Sequence, residues 1–231
     1  MKTLFLIPAP LADVDLCNIF PDYNLQIIGQ LDIFVVENIR TARRFIKHAV
    51  PDVDIDKLRF FELNEHSANL QEITKIMHSG ENIGFMSEAG CPAIADPGAE
   101  LAAIAQKFNY KIIPLVGPSS ILLSLMASGF NGQNFAFVGY LPVKDPDRVR
   151  AIKKLENRVL SEHQTQIFIE TPYRNSKLIS DLLKNLNPQT SLCIAADLTA
   201  PTQFIAAKKI SEWKKSQLPD LNKRPAIFLI N

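Results

Sequence analysis

An apolar run, Ile83-Gly84-Phe85-Met86, stops at a loop of small residues, Ser87-Glu88-Ala89-Gly90-Cys91-Pro92-Ala93-Ile94-Ala95-Asp96-Pro97-Gly98, and a helical pattern follows. A strand that ends in such a loop and then a helix presents backbone N–H groups at the carboxyl edge of a sheet, where open α/β folds bind ligands. A second loop of the same kind, Val116-Gly117-Pro118-Ser119-Ser120, follows the next strand. Together they predict a pocket for a small polar cofactor. Neither loop carries GxGxxG, and the chain has no GxxxxGK[ST], so the dinucleotide fingerprint and the P-loop are both missing.

The rest of the chain fits the frame these loops require. Apolar runs alternate with helical patterns, which predicts α/β architecture. Strands are expected at Thr3–Ile7, Ile33–Val36, Leu58–Phe61, Ile83–Met86 and Lys111–Leu115, then at Phe135–Tyr140, Gln166–Glu170, Ser191–Ala196, Gln203–Ala206 and Ala226–Ile230. One helix is expected from Ser67 to His78, with Leu70, Ile73 and Met77 on one face. Others are expected from Asp96-Pro97 and from Asp145-Pro146, each read as an N-cap followed by proline at the first helical position. Ser119–Ser128 is apolar almost all round and reads as a buried helix. Two strand patterns follow one another between Leu192 and Ala206 with no helix between them. The first half is therefore expected to hold a mostly parallel sheet and the second a mixed one. The domain boundary is placed near residues 114–118, giving 1–115 and 116–231.

Composition excludes several classes. Hydrophobic residues are 47% and charged residues 21%, with a net charge of +1, so no global field draws the chain to nucleic acid or membrane. Cys17, Cys91 and Cys193 are far apart and odd in number, which fits a reducing cytosol and no metal. The N-terminal apolar run is interrupted by Pro8, Pro10 and Asp13, so it reads as a buried strand and not as a signal peptide. No run reaches transmembrane length. Local basic clusters do exist. Lys144, Arg148, Arg150, Lys153, Lys154 and Arg158 face Asp145, Asp147 and Glu156, a local net of +3; Arg40, Arg43 and Arg44 form a second cluster. Either could contact phosphates or be an ordinary solvated helix face.

The Ser87–Gly98 loop resembles the S-D-A-G-T-P-x-I-S-D-P-G signature of the tetrapyrrole-methylase superfamily. Further short motifs resemble the branch that methylates a cytidine 2′-oxygen in 16S ribosomal RNA. Leu6-Ile7-Pro8-Ala9-Pro10-Leu11 is similar to its first strand and V-A-T-P-I-G turn, and Glu37-Asn38-Ile39-Arg40-Thr41-Ala42-Arg43-Arg44 to E-D-T-R-x-x-R-x. Asn64-Glu65 matches an N-E pair, and Gly117-Pro118-Ser119 a P-G-P-S-A loop. Gly139-Tyr140-Leu141-Pro142-Val143-Lys144 resembles G-F-L-P-x-K, Glu170-Thr171-Pro172-Tyr173-Arg174 resembles E-S-P-H-R, and Ala196-Asp197-Leu198-Thr199 resembles R-E-L-T. The motifs occur in the family's order and span nearly the whole chain.

The resemblance implies two α/β domains with S-adenosylmethionine in the cleft between them, a homodimer, a cytoplasmic location and a ribosomal RNA acceptor. It implies cofactor contacts from Gly90, Cys91, Ala93, Ile94, Ser119 and Ser120, with Pro10, Leu198, Pro225 and Ala226 beside them. Substrate contacts are expected from Arg40, Arg43, Arg44 and Lys144. Methyl transfer to oxygen is an in-line displacement, helped by a base or cation that stabilises the developing alkoxide. Glu37, Lys144, Glu170 and Arg174 are the candidates, each also readable as a surface charge or ion-pair partner. Departures from the family pattern fall at Ala12, Asn38, Glu88, Cys91, Tyr173 and Ala196. Those at Asn38, Tyr173 and Ala196 remove a carboxylate, an imidazole and a cation. Two alternatives therefore stand beside RNA methylation: a C-methyltransferase acting on a tetrapyrrole, and a cofactor-binding relative that has lost catalysis.

Overall fold

The structure is a computed structural model that describes residues 2–63 and 70–231. The Asn64-Glu65 pair and the expected helix start at Ser67 lie outside the described residues. The chain divides into two compact units, Met1–Ser119 and Ser120–Asn231.

Unit 1 is built on a five-stranded sheet in the order β3-β2-β4-β1-β5, with every neighbouring pair parallel. The strands are β1 (Thr3–Leu6), β2 (Ile33–Val36), β3 (Arg59–Glu62), β4 (Ile83–Met86) and β5 (Lys111–Pro114). β2 and β4 are buried along their full length, as central parallel strands must be when helices cover both faces. Alternation sorts their side chains. Phe34 and Val36 join Ile27 and Ile28 of α1 (Asp22–Ile28) and Ala42 and Ile46 of α2 (Ile39–Ala49). Ile33 and Val35 join Ile73 and Met77 of α3 (Leu70–Ser79) and Leu101 and Ala105 of α4 (Ala99–Lys107).

The strand order matters for the site. The chain leaves β1 toward β2 on one side and leaves β4 toward β5 on the other. The carboxyl ends of β1 and β4 therefore flank the point where the winding reverses, the crevice in which open parallel sheets bind ligands.

Unit 2 holds the mixed sheet, in the order β6-β7-β10-β8-β9. β6 (Phe135–Tyr140) and β7 (Thr165–Ile169) are parallel, and β10 (Ala226–Ile230) runs antiparallel to β7 and β8 (Ser191–Ala196). β9 (Phe204–Lys209) closes the edge antiparallel to β8. One face packs Phe168, Ile194 and Phe228 against α6 (Asp147–Glu162), α7 (Asn175–Asn185) and the short α8 (Ile210–Trp213). The other packs Ile167, Cys193, Ile227 and Leu229 against Leu125 of α5 (Ser120–Ser128). No described helix is long and apolar enough to cross a membrane.

Three local expectations are corrected. α4 begins at Ala99, not at Asp96-Pro97. Gly98 takes φ 125°, and a Cβ there would lie 2.1 Å from Cε1 of Phe85, so the chain turns sharply over that ring before a helix can start. α6 begins at Asp147; Pro146 already has helical angles (φ −87°, ψ −2°), and Asp145, joined to it by a cis peptide, stands outside the helix. α5 is not buried all round, since Leu122 is 50% exposed and Met126 78%. Its nine residues cover only the sheet beside Leu125.

Candidate functional site

Three loops meet at the switch point of unit 1. Ala9, after β1, and Gly90, after β4, exchange two backbone hydrogen bonds of 2.9 Å each. Cys91 Sγ lies 3.5 Å from the Pro118 carbonyl of the loop after β5. Gly117 lets that loop close in, because a Cβ at this position would sit 2.2 Å from Pro8. Pro10, Gly90 and Cys91 are thus drawn together with the Pro118-Ser119 turn. Both main-chain groups of Gly90 are spent on Ala9, so Gly90 contributes shape and not an N–H. Left-handed backbone is concentrated next to it. Ala93 (φ 66°) and Ala95 (φ 62°) both adopt a conformation that residues with a Cβ seldom take, and Ile94 between them is 53% exposed. Such outliers collect where a loop is shaped for a ligand.

Three carboxylates gather at the same edge. Glu37, after β2, accepts a hydrogen bond from the Glu88 amide at 3.1 Å. Burial pushes Asp96 above the usual carboxylate range, and Glu37 and Glu88 push it further. The Ser87 hydroxyl tempers this from outside regular hydrogen-bond geometry, and its buried Oγ has no partner among the described residues. Glu88 is likewise raised, by desolvation first and by Glu37, against the Thr41 hydroxyl that lowers it. Burial also pushes the Cys91 thiol up, so it is a poor nucleophile at neutral pH. Among the described residues no cluster of side chains has the makings of a metal site.

In unit 2, Leu198, Pro225 and Ala226 come together at one end of the sheet. Ala226 pairs with Ala196, and the Asp197 amide donates to the Pro225 carbonyl at 3.0 Å. Asp197 and Thr199 have positive φ (49° and 71°), and Asp197 is pinned by Arg224 at 2.7 Å. The Thr199 Oγ1 is buried without a partner among the described residues. Ser120 opens α5.

The charged candidates separate. Glu170 and Arg174 are not free for chemistry. Glu170 is 4% exposed, and its carboxylate is bound by Arg148 at 2.8 Å, by Arg174 at 2.7 and 2.9 Å, and by the Thr171 amide at 2.8 Å. Burial alone would raise its pKa, but these partners hold it below the usual range, which makes it a weak base. Arg148, counted from sequence in a basic cluster, is 1% exposed and also bonds Asp181 at 3.2 Å and the Pro142 carbonyl at 2.7 Å. It fixes the turn that carries Lys144 and faces no solvent. Lys144 itself is exposed. Arg43 is committed to Asp56 at 2.5 Å and lies over the Phe60 ring, whereas Arg40 and Arg44 are exposed. Glu37 is the one candidate base that the structure puts at the switch point.

A cavity of about 300 Å³ opens beside these loops, wholly within unit 1. It runs from Ala9–Leu16 to α2, with Met86, Ser87 and Glu88 between, and the basic cluster of α2 gives no sign in sequence of the cavity beside it. The helix itself does have a signal, Ala42, Ile46 and Ala49 at helical spacing. A larger hollow of about 350 Å³, lined by Lys2, Asp32 and Glu81, lies at the opposite, amino edge of the sheet, away from the switch point.

A model of the Tetrapyrrole (Corrin/Porphyrin) Methylases matches residues 24–214. The chain belongs to the tetrapyrrole methylases. It is a methyltransferase of that family. Among its relatives, the Ribosomal RNA small subunit methyltransferase I of Synechocystis sp. is 28% identical over 199 residues, which covers 86% of this chain and 68% of that protein. The protein of the same name from Helicobacter pylori is 30% identical over 226 residues, covering 90% and 71%. Tetrapyrrole methylases also supply the fold. The Uroporphyrin-III C-methyl transferase of Thermus thermophilus, solved in complex with S-adenyl homocysteine, superposes with a TM-score of 0.57 at 13% identity, covering 100% of this chain and 97% of that one.

Proposed function

We propose that the chain transfers a methyl group from S-adenosylmethionine to a ribose 2′-oxygen of small-subunit ribosomal RNA. The observation that carries this reading is the match, over most of the chain, to relatives named for methylation of that RNA. When bound, the cofactor supplies an electrophilic methyl on a sulfonium, and the acceptor oxygen displaces a neutral thioether in line. The residues present fit such a group. The loops after β1, β4 and β5 are built of small residues that let the backbones close in, and three carboxylates favour a cation at their edge. We assign cofactor contacts to Pro10, Gly90, Cys91, Ala93, Ile94 and Ser119 of unit 1 and to Ser120, Leu198, Pro225 and Ala226 of unit 2.

For the acceptor, Arg40, Arg44 and Lys144 are the exposed cations suited to phosphate, and Glu37 is the group placed to receive the proton of the 2′-hydroxyl. Its Oε2 is already oriented by the Glu88 amide, so it needs no reorganisation to accept a second donor. We take the protein to act as a homodimer in the cytoplasm.

The test is transfer of labelled methyl from S-adenosylmethionine to small ribosomal subunits from cells lacking the gene. Label recovered as a 2′-O-methylated nucleoside is the expected result. Intact cofactor binding with no label in RNA overturns the acceptor, and label in a porphyrinoid would replace it with the tetrapyrrole reading.

A further inference from the structure

The cavity beside α2 shares only Pro10 with the residues assigned to the cofactor. Its depth is apolar. Leu16 and Met86 are 6% and 3% exposed, and the Phe45 ring forms a side that is itself braced by Phe20, centroid to centroid 5.9 Å. Of its polar groups Asp13, Arg44, His48 and Glu88 are exposed, Thr41 is half-buried, and Ser87 is buried with its Oγ unpartnered among the described residues. At about 300 Å³ it stands at the small end of ligand pockets, which run from roughly 300 to 1,000 Å³. A space of this size accommodates one heterocyclic ring.

Charge narrows the occupant further. α2 carries Arg40, Arg43, Arg44 and Lys47 and no carboxylate. Arg43 is tied to Asp56 and Lys47 donates to the Val53 carbonyl, while Arg40 and Arg44 make no ion pair among the described residues. Asp13 and Glu88 put two carboxylates at the mouth, so it is Arg40 and Arg44 of α2 that suit the phosphates of a polyanion, while the apolar hole with its aromatic side suits a flat ring. An RNA strand offers both when one base leaves the stack. Enzymes that work at a nucleotide in a structured RNA commonly extrude it in this way. The cavity also shares Ala9, Pro10 and Glu88 with the switch-point loops, so a ring seated in it keeps its own sugar at those loops.

We propose that this cavity seats a single unstacked nucleobase of the acceptor strand, with its ring against Phe45 and the flanking phosphates on Arg40 and Arg44. The assignment rests on the RNA reading above. The Glu88 carboxylate supplies a hydrogen-bond acceptor for the base edge.

The experiment uses the full chain and small ribosomal subunits as acceptor. Ala12 lines the cavity from a half-exposed loop, so Ala12→Trp fills the space from its side. Phe45→Leu keeps apolar volume and removes the stacking face. Both variants are checked for thermal unfolding and for binding of labelled S-adenosylmethionine by equilibrium dialysis. Ala12→Trp is expected to lower kcat/KM for the subunit about tenfold or more, and Phe45→Leu to raise KM for the subunit about tenfold. Cofactor affinity should stay within about twofold of the parent in both. Methyl transfer within about twofold of the parent in both variants overturns the base pocket and leaves the RNA reading standing. A parent protein that transfers no methyl to RNA overturns both together.

Discussion

Arg148→Met probes how unit 2 is held. The guanidinium is 1% exposed and reaches Glu170 at 2.8 Å, Asp181 at 3.2 Å and the Pro142 carbonyl at 2.7 Å. Removing one partner of a buried ion pair costs about 3–5 kcal/mol, because the charge left behind cannot reach water. Two features favour the lower end. Glu170 keeps both bonds to Arg174, and Asp181 keeps Lys177 at 2.7 Å, so each carboxylate retains a cation. Methionine also fills the apolar part of the space. A loss of about 3 kcal/mol is expected.

Arg174 bonds the same Glu170, but its side chain is 39% exposed, so solvent screening makes Arg174→Met much the milder change. Trp213 is the chain's only tryptophan, is 1% exposed, and donates to the Leu192 carbonyl at 2.8 Å, so its emission reports on unit 2 alone. With a urea slope of about 2 kcal/mol per molar, Arg148→Met should lower the midpoint by about 1.5 M and Arg174→Met by much less. Equal shifts in the two variants would refute the argument from burial. A shift below about 0.5 M for Arg148→Met would mean that the turn carrying Lys144 is held by something other than this network.

Three further outcomes are expected. Gly98→Ala should destabilise unit 1 by about 3 kcal/mol, from its Cβ against Phe85 and the positive φ, and hydrogen exchange of β4 and α4 amides will show it; unchanged protection would place the strain elsewhere. Gly90→Val should reduce S-adenosylmethionine affinity by about tenfold or more while the Ala9 bridge persists, because φ 72° is poorly open to a branched side chain; unaltered dialysis binding would remove Gly90 from the site. The two acidic environments should titrate in opposite senses. Asp96 is raised, so its folded form binds protons more tightly than its unfolded form, and its charge costs stability at neutral pH. Asp96→Asn should therefore stabilise the protein at pH 7, with the gain fading as pH falls through the raised value toward 3.8. Glu156 and Glu170 are lowered, so the stability they confer is full above 4.5 and is lost as pH drops below it; the Trp213 midpoint should follow that course, and flat behaviour below 4.5 would contradict it.

Much of the fold is visible in the residues themselves. Runs such as Ile33–Val36 and Leu192–Ala196 are apolar throughout and flanked by polar residues, and both fall in strands with the expected limits. The mixed character of the second sheet follows from adjacent strand patterns with no helix between them, and β8 and β9 pair antiparallel as that requires. The small-residue loops after β4 and β5 are legible as close-packed connections, and Gly117 on Pro8 and Gly98 on Phe85 show that closeness. What escaped is what depends on distant partners. Asp96-Pro97 reads as a cap until Phe85 is known to lie under Gly98. Arg148 and Glu170 look like surface charges in sequence, and only the folding of α6 over β7 and α7 buries them together. Arg43 looks like a phosphate ligand until Asp56 is brought to it. Spacing along the chain cannot encode these meetings, because each joins elements separated by at least one turn of the fold.

The Ala9–Gly90 bridge has a thermodynamic consequence. Its two hydrogen bonds tie the segment that lines the cavity proposed for the acceptor to the loop proposed for the cofactor. Occupancy of either side that shifts this clasp must bias the other, and linkage requires the effect to be equal in both directions. The order in which the two ligands arrive would then change the route without changing the total free energy of the ternary state. A departure at Ala12 or Cys91, one on each side of the clasp, would tune that coupling without touching the transferred methyl group.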